Sequence, residues 1–207
     1  MNSQKDFLQS FDMMNDRFSI VADVIRNRRS MKPVKMNGKK IPDEQVAELL
    51  KLANWAPTHG RTEPWRFVVY CGDEVKKFCH QHAELYKLHT SPEKFDQANY
   101  EKQLHNGDLA SHVILVFMQR GNLSKIPALE EIAATAMAIQ NILLGATATG
   151  IASFLSTGGM THEPAMKEFL HLSEEDVILG ILYLGYTDGR NEGKRQTEID
   201  DKTVWHR

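Results

Sequence analysis

The sequence predicts a single layered α+β domain, a small sheet covered by a larger amount of helix. Three observations carry that expectation. Four short runs rich in β-branched and aliphatic residues have the length of strands. The segments between them are patterned mostly as helices and are irregularly interleaved with the strands. The composition of the 207-residue chain, 42% apolar and 25% charged, is that of an ordinary globular protein, and a chain of this size buries roughly 70% of its unfolded surface without a disulfide or structural metal.

In chain order, residues 1–18 form an N-terminal extension with weak helical patterning. A helix follows over Ser19–Asn27, where Val21, Val24 and Ile25 make an apolar stripe, and it stops just before Arg28-Arg29-Ser30. Pro33, Gly38 and Pro42 punctuate a loop. Asp43 is placed to cap the next helix, which carries Val46, Leu49, Leu50 and Ala53 at i, i+3, i+4, i+7. Loop resumes at Pro57. Phe67–Cys71 is β-branched and aromatic, is stopped by Gly72-Asp73, and is expected to be the first strand, with a helix after it from about Glu74 to Leu88. Residues 90–106 are polar with few apolar anchors, the pattern of a helix or excursion lying over the body, a candidate lid. Val113–Met118 is continuously apolar and is expected to be covered on both faces. Pro127 opens a long buried helix that Gly150 ends. Ile151–Phe154 and Val177–Leu184 supply the last strands, with a helix from about Pro164 to Leu170 between them. The tail, residues 187–207, has only Ile199, Val204 and Trp205 as anchors, a composition suited to wrapping a second copy of the chain.

Charge and composition exclude several functions. Twenty-five basic against 27 acidic residues leave a net charge of -2, so no global field recruits nucleic acid or an anionic membrane. The uncharged stretch Ile132–Met160 is long enough to suggest a membrane span, but Gln140, Asn141, Thr147, Thr149, Gly150 and Ser153 interrupt it. A buried helix followed by a buried strand is the expectation. Met1–Ile20 lacks the apolar core of a signal peptide, and Cys71 and Cys79 are too few for a disulfide framework, so a reducing cytoplasm is expected. The cysteines also lack zinc-ligand spacing, and the stripe of Cys79, His82 and His89 has no carboxylate to complete it. No metal site is therefore expected. There is no G-x-S-x-G elbow, no G-x-G-x-x-G after a strand and no P-loop.

Two features can carry ligand chemistry. Arg28-Arg29-Ser30 with Lys32 places three cations and a hydroxyl within five positions at a helix end. Arginine forks and a serine hydroxyl suit one phosphate monoester, although short basic clusters also occur as solvated surface or as charge complementing a helix C-terminus. Thr157-Gly158-Gly159 follows a strand and either presents backbone N–H groups to a ligand or simply turns the chain.

The loop Ala56-Pro57-Thr58-His59-Gly60-Arg61-Thr62-Glu63-Pro64-Trp65 carries an A-P-x-x-x-x-x-[QE]-P-W frame. Together with Arg28-Arg29-Ser30-x-Lys32, the Ala138–Leu144 helix, the strand entry at Gly150 and Leu182-Tyr183-Leu184-Gly185-Tyr186 before a basic tail, it resembles the nitroreductase family of FMN-dependent oxidoreductases, in its small, short-chain branch. The likeness spans about Ser19 to Arg195. It implies a mostly antiparallel sheet of four to five strands flanked by helices, and a homodimer with exchanged C-terminal tails whose FMN sites are built from both subunits. It also implies ping-pong hydride transfer from NAD(P)H through flavin N5 to a nitroaromatic, quinone or related acceptor. Residue by residue, Arg28 and Ser30 meet the phosphate and ribityl chain with Arg29 and Lys32 nearby. His59 and Trp55 lie along the isoalloxazine from the partner subunit, Glu63 stands in the same loop, and Leu155, Ser156 and Thr157 line the other side. Lys194 or Arg195 reaches back to the phosphate. The chain departs from the family in having Arg61 where many members have Asn, Glu63 in place of Gln, and Lys32 in place of Arg. A specialised dehydrogenase or dehalogenase, or a non-catalytic flavin-binding protein, fits the same scaffold.

Overall fold

In the computed structural model, which describes residues 16–207, one four-stranded sheet is covered by helices on both faces. The strands are β1 (Trp65–Cys71), β2 (His112–Met118), β3 (Ala152–Ser156) and β4 (Val177–Gly185). Their order is β1-β2-β4-β3, and every neighbouring pair is antiparallel. Each predicted strand is present with its ends moved by one or two residues. Pairing sets the new ends: Trp65 joins β1 opposite Met118, and β3 extends to Ser156 opposite Ile181.

The helices are α1 (16–27 of the described residues), α2 (Asp43–Ala53), α3 (Glu74–His89), α4 (Gln97–His105), α5 (Ala128–Ala148) and α6 (Pro164–Phe169). Of the N-terminal extension, residues 1–15 lie outside the described residues. Pro42, not Asp43, occupies the N-cap of α2; Asp43 is the first helical residue and turns its carboxylate onto His112.

Every residue of β2 is buried, as its unbroken apolar run requires. Ile114 and Val116 face a core built with Val46 and Leu49 of α2 and Ala138 and Ile142 of α5. Val113, Leu115 and Phe117 face a second core with Val75 and Phe78 of α3 and Met166 of α6. Gly145 sets the distance between α2 and α5: a Cβ there would stand 2.7 Å from Leu52 and 2.8 Å from Leu49. The polar segment at 90–106 contains α4, capped by Asp96 through its bond from the Ala98 amide. Tyr86 stacks on Phe95 at 5.5 Å and Tyr100 donates to Glu84, so the segment lies packed on α3.

A fifth strand exists only in outline. Ser30 makes an isolated parallel bridge to Ser153 of β3, and the Met31 amide donates to the Ser153 carbonyl at 2.8 Å.

Candidate active site

The bridge to β3 holds the basic segment extended, and an extended chain sends alternate side chains to opposite sides. Asn27, Arg29 and Met31 line one cleft of about 410 Å³, while Lys32 lines a separate one of about 630 Å³ beside Phe154. Arg28, Ser30 and Lys32 therefore share one side and Arg29 takes the other. The Arg29 guanidinium bonds the carbonyls of Arg26 and Arg28 and packs against Gly193, where a Cβ would come within 2.3 Å of it. That contact brings the tail residues Lys194 and Arg195 beside the basic segment. Among the described residues none of Arg28, Arg29, Lys32, Lys194 and Arg195 has a carboxylate within ion-pair distance, and the buried Arg29 Nε has no partner. Cations gathered without counter-charge suit an anionic ligand.

Asn191 fixes this segment and is absent from the sequence reading. Its amide donates to the Ser30 carbonyl at 2.7 Å and its oxygen accepts from Lys35 at 3.1 Å. Nothing local marks it, because its partners lie far upstream in the chain.

Leu155 and Ser156 close β3, half-buried, and Thr157 opens the exposed turn after it. His82 supports that turn from below. Its Nε2 accepts the Met160 amide at 3.0 Å, and burial pushes its pKa down to about 4. Of the stripe Cys79, His82 and His89, His82 faces the core while His89 stays in solvent.

The A-P-x-x-x-x-x-[QE]-P-W loop lies elsewhere. Trp65 Nε1 donates to Asn54 at 3.0 Å and fixes the loop against the end of α2. Trp55 and Glu63 flank an open cleft of about 650 Å³. His59 Nδ1 pairs with Glu130, at the start of α5, at 2.5 Å. Gly60, Arg61 and Glu63 all have positive φ, 62°, 55° and 43°. That region costs a residue with a side chain about 1 kcal/mol, and asparagine tolerates it best. Arg61→Asn is expected to raise stability by up to about 1 kcal/mol, or roughly 2–4 °C in Tm, measured by thermal unfolding; a lower Tm would show that the arginine side chain holds the loop.

The two groups of residues do not meet within one chain. Ser30 is level with Leu184 of β4 through Ser153, whereas Trp65 is level with Val177 through Met118. Seven residues along the strands and four steps across separate them, about 24 Å by about 19 Å.

Residues 25–186 match the model of the nitroreductase family. A Bacillus subtilis protein provisionally named an NAD(P)H nitroreductase is 26% identical, covering 89% of this chain and 93% of its own length. Among solved structures, a nitroreductase-like family protein from Bacillus cereus is 28% identical with a TM-score of 0.74, covering 90% of this chain and 95% of that one. A Desulfovibrio desulfuricans protein provisionally named a nitroreductase, solved in complex with FMN, superposes with a TM-score of 0.68 at 22% identity, covering 90% and 96% of the two chains.

Proposed function

Because the chain belongs to the nitroreductase family, an oxidoreductase family, we propose that it uses FMN to pass hydride from NAD(P)H to a nitroaromatic, quinone or related small acceptor, working as a homodimer. The observation that carries this reading is the extended basic segment at the sheet edge, with cations that no carboxylate of the described chain neutralises. When bound, FMN supplies the redox chemistry, accepting hydride at N5 and giving it up again.

The chain's own residues supply binding and orientation. Arg28, Ser30 and Lys32, on one side of the segment, hold the phosphate and ribityl chain. Arg29 braces the segment through the Arg26 and Arg28 carbonyls and the tail, while Lys194 or Arg195 adds charge from that side. Leu155, Ser156 and Thr157 line one flank of the ring system. Trp55, His59 and Glu63 belong to the other flank, and their distance from Ser30 in one chain means that a partner subunit must bring them. Two exposed surfaces favour such a partner: α1 presents Phe18, Ile20, Val21 and Ile25, and the tail presents Ile199, Val204 and Trp205. Apolar surface on this scale marks an interaction face. Among the described residues no helix is long and apolar enough to cross a membrane. Both cysteines are free thiols, in keeping with a reducing cytoplasm.

The test is colour and turnover. The purified protein is expected to be yellow, to bleach with NADH or NADPH and to recolour with a quinone or nitroaromatic. Parallel double-reciprocal lines are expected, because donor and acceptor would occupy the same site in turn. A yellow protein inert to both nucleotides would overturn the reductase reading in favour of a flavin-binding protein. A specialised flavin enzyme is favoured by α4, whose Lys102 and His105 wall the cleft beside Lys32 and Phe154; turnover of a single acceptor across a broad panel would select it.

Arg28→Ala removes a charge-assisted contact worth about 1.5–3 kcal/mol. FMN affinity is expected to fall about tenfold or more in a folded protein, read by fluorescence titration of the apoprotein. Unchanged affinity would remove Arg28 from the phosphate site.

A further inference from the structure

We propose that Asp43, Cys71 and His112 form a zinc site at the β1 edge of the sheet, away from the basic segment. One ligand atom from each residue lies within 4.8 Å of the other two. The three come from different elements: Asp43 is the first residue of α2, Cys71 ends β1, and His112 opens β2 directly opposite Cys71 in the antiparallel register. Their separations in sequence, 28 and 41 residues, explain why no spacing motif announces them.

The imidazole is oriented as a metal-bound histidine is. His112 is buried, and its Nδ1 lies 3.0 Å from Ser111 Oγ, which is itself fixed by the Ile41 amide at 2.7 Å. Without a metal, Nε2–H donates to Asp43 Oδ1 at 2.9 Å, with the Cys71 sulfur alongside; zinc takes the place of that proton, which moves to Nδ1 and is donated to Ser111. A hydrogen-bonded outer nitrogen of this kind sets tautomer and ring direction in metal sites. Among the described residues Asp43 has no lysine or arginine within ion-pair distance, and Lys40 is held on the Ala110 carbonyl. Three donors thus converge where, among the described residues, no lysine or arginine supplies the cation.

Donor chemistry selects the ion. Thiolate, imidazole and carboxylate together suit zinc, whereas magnesium and calcium take oxygen ligands. Zinc takes four ligands at about 2.0–2.3 Å, so three protein ligands leave one position for water. The carboxylate and the sulfur must draw in around the ion. Asp43 is 74% exposed along its side chain and Cys71 is exposed, so both can move, while His112 stays fixed. On binding, the Cys71 thiol gives its proton to solvent and a sulfur–zinc bond forms, with no change of oxidation state.

The same row of the sheet runs Ser30, Ser153, Leu184, His112, Cys71. Four strand spacings put Cys71 about 19 Å from Ser30, so zinc and the proposed phosphate ligand do not share residues.

The test uses the full chain without a polyhistidine tag, dialysed against buffered zinc chloride. One zinc per chain is expected, with one sulfur at about 2.3 Å in the zinc K-edge spectrum, and zinc should protect Cys71 from alkylation. Cys79 does not confuse that measurement, because it is buried and its thiol pKa is pushed up to about 12 by burial. Cys71→Ser and Asp43→Asn change exposed residues, and each is expected to lower affinity at least tenfold. No bound zinc, a shell of nitrogen and oxygen only, or undiminished binding in Cys71→Ser would each overturn the proposal.

Discussion

Arg120→Ala is expected to cost about 3–5 kcal/mol of stability, the typical cost of breaking a buried ion pair by removing one partner. Glu131, in the first turn of α5, is 1% exposed along its side chain. The Arg120 guanidinium pairs with it and also donates to the Ile126 carbonyl at 2.7 Å. The Gly121 amide reaches Glu131 Oε1 at 3.2 Å, and the Arg120 amide donates to Asp176 at 3.0 Å. Asp176 in turn accepts the Ser173 amide. The carboxylate–guanidinium pair therefore ties the end of β2 to the start of α5, and the Arg120 backbone amide adds the approach to β4. Without Arg120 the Glu131 charge stays in the interior with a single amide to meet it. Urea unfolding at fixed protein and flavin concentration measures the loss, which corresponds to a fall of roughly 10 °C in Tm. An Arg120→Met, Glu131→Leu double variant should recover part of it, since an apolar pair of similar volume avoids the stranded charge. A loss below about 1 kcal/mol in Arg120→Ala would show that the pair is hydrated.

The second large effect is on acid stability. His82 has a folded pKa lowered to about 4 by burial, against an ordinary value of 6.5. Between these values the unfolded chain takes up a proton that the folded chain refuses, so stability falls as pH drops through that window. The stabilisation is fully present above about pH 6.5, and about 3 kcal/mol of it is gone by pH 4. The loss has a local address, because a protonated Nε2 no longer accepts the Met160 amide beneath the turn that carries Thr157. His82→Gln, which does not titrate, should flatten the difference between melts at pH 7 and pH 4.5. Identical pH slopes for the two proteins would sink the assignment.

The four strands and five of the helices are legible in the sequence because each carries its own period and its own stop. β2 is the clearest case: six consecutive apolar residues, Val113–Met118, have no other way to be buried. The basic segment is legible as a cluster, but not as two sides, because the alternation appears only when Ser153 holds Ser30 extended. Asp43 misleads as a cap: it stands one residue inside the helix, and its carboxylate meets a strand that arrives 69 residues later. Glu131 borders the long uncharged stretch and carries no local signal of burial, yet Arg120 makes it interior. His82, Asn191 and the Asp43–Cys71–His112 group share one reason for being missed. Each depends on contacts between distant segments, which periodicity and spacing do not encode.

The segment carrying Arg28, Ser30 and Lys32 joins the sheet through one bridge, one amide bond to Ser153 and the Asn191 clamp. The strands inside the sheet are secured along their whole length on both sides. Protection against hydrogen exchange should follow that difference: amides of Val113–Met118 open only with the whole molecule, whereas the Met31 amide opens with the edge alone. A ligand that bridges the basic segment to the body slows exchange at Met31 without touching the rate at Leu115. The sheet edge is thus a reporter of occupancy, and labelling the chain with deuterium for minutes distinguishes an empty subunit from a loaded one.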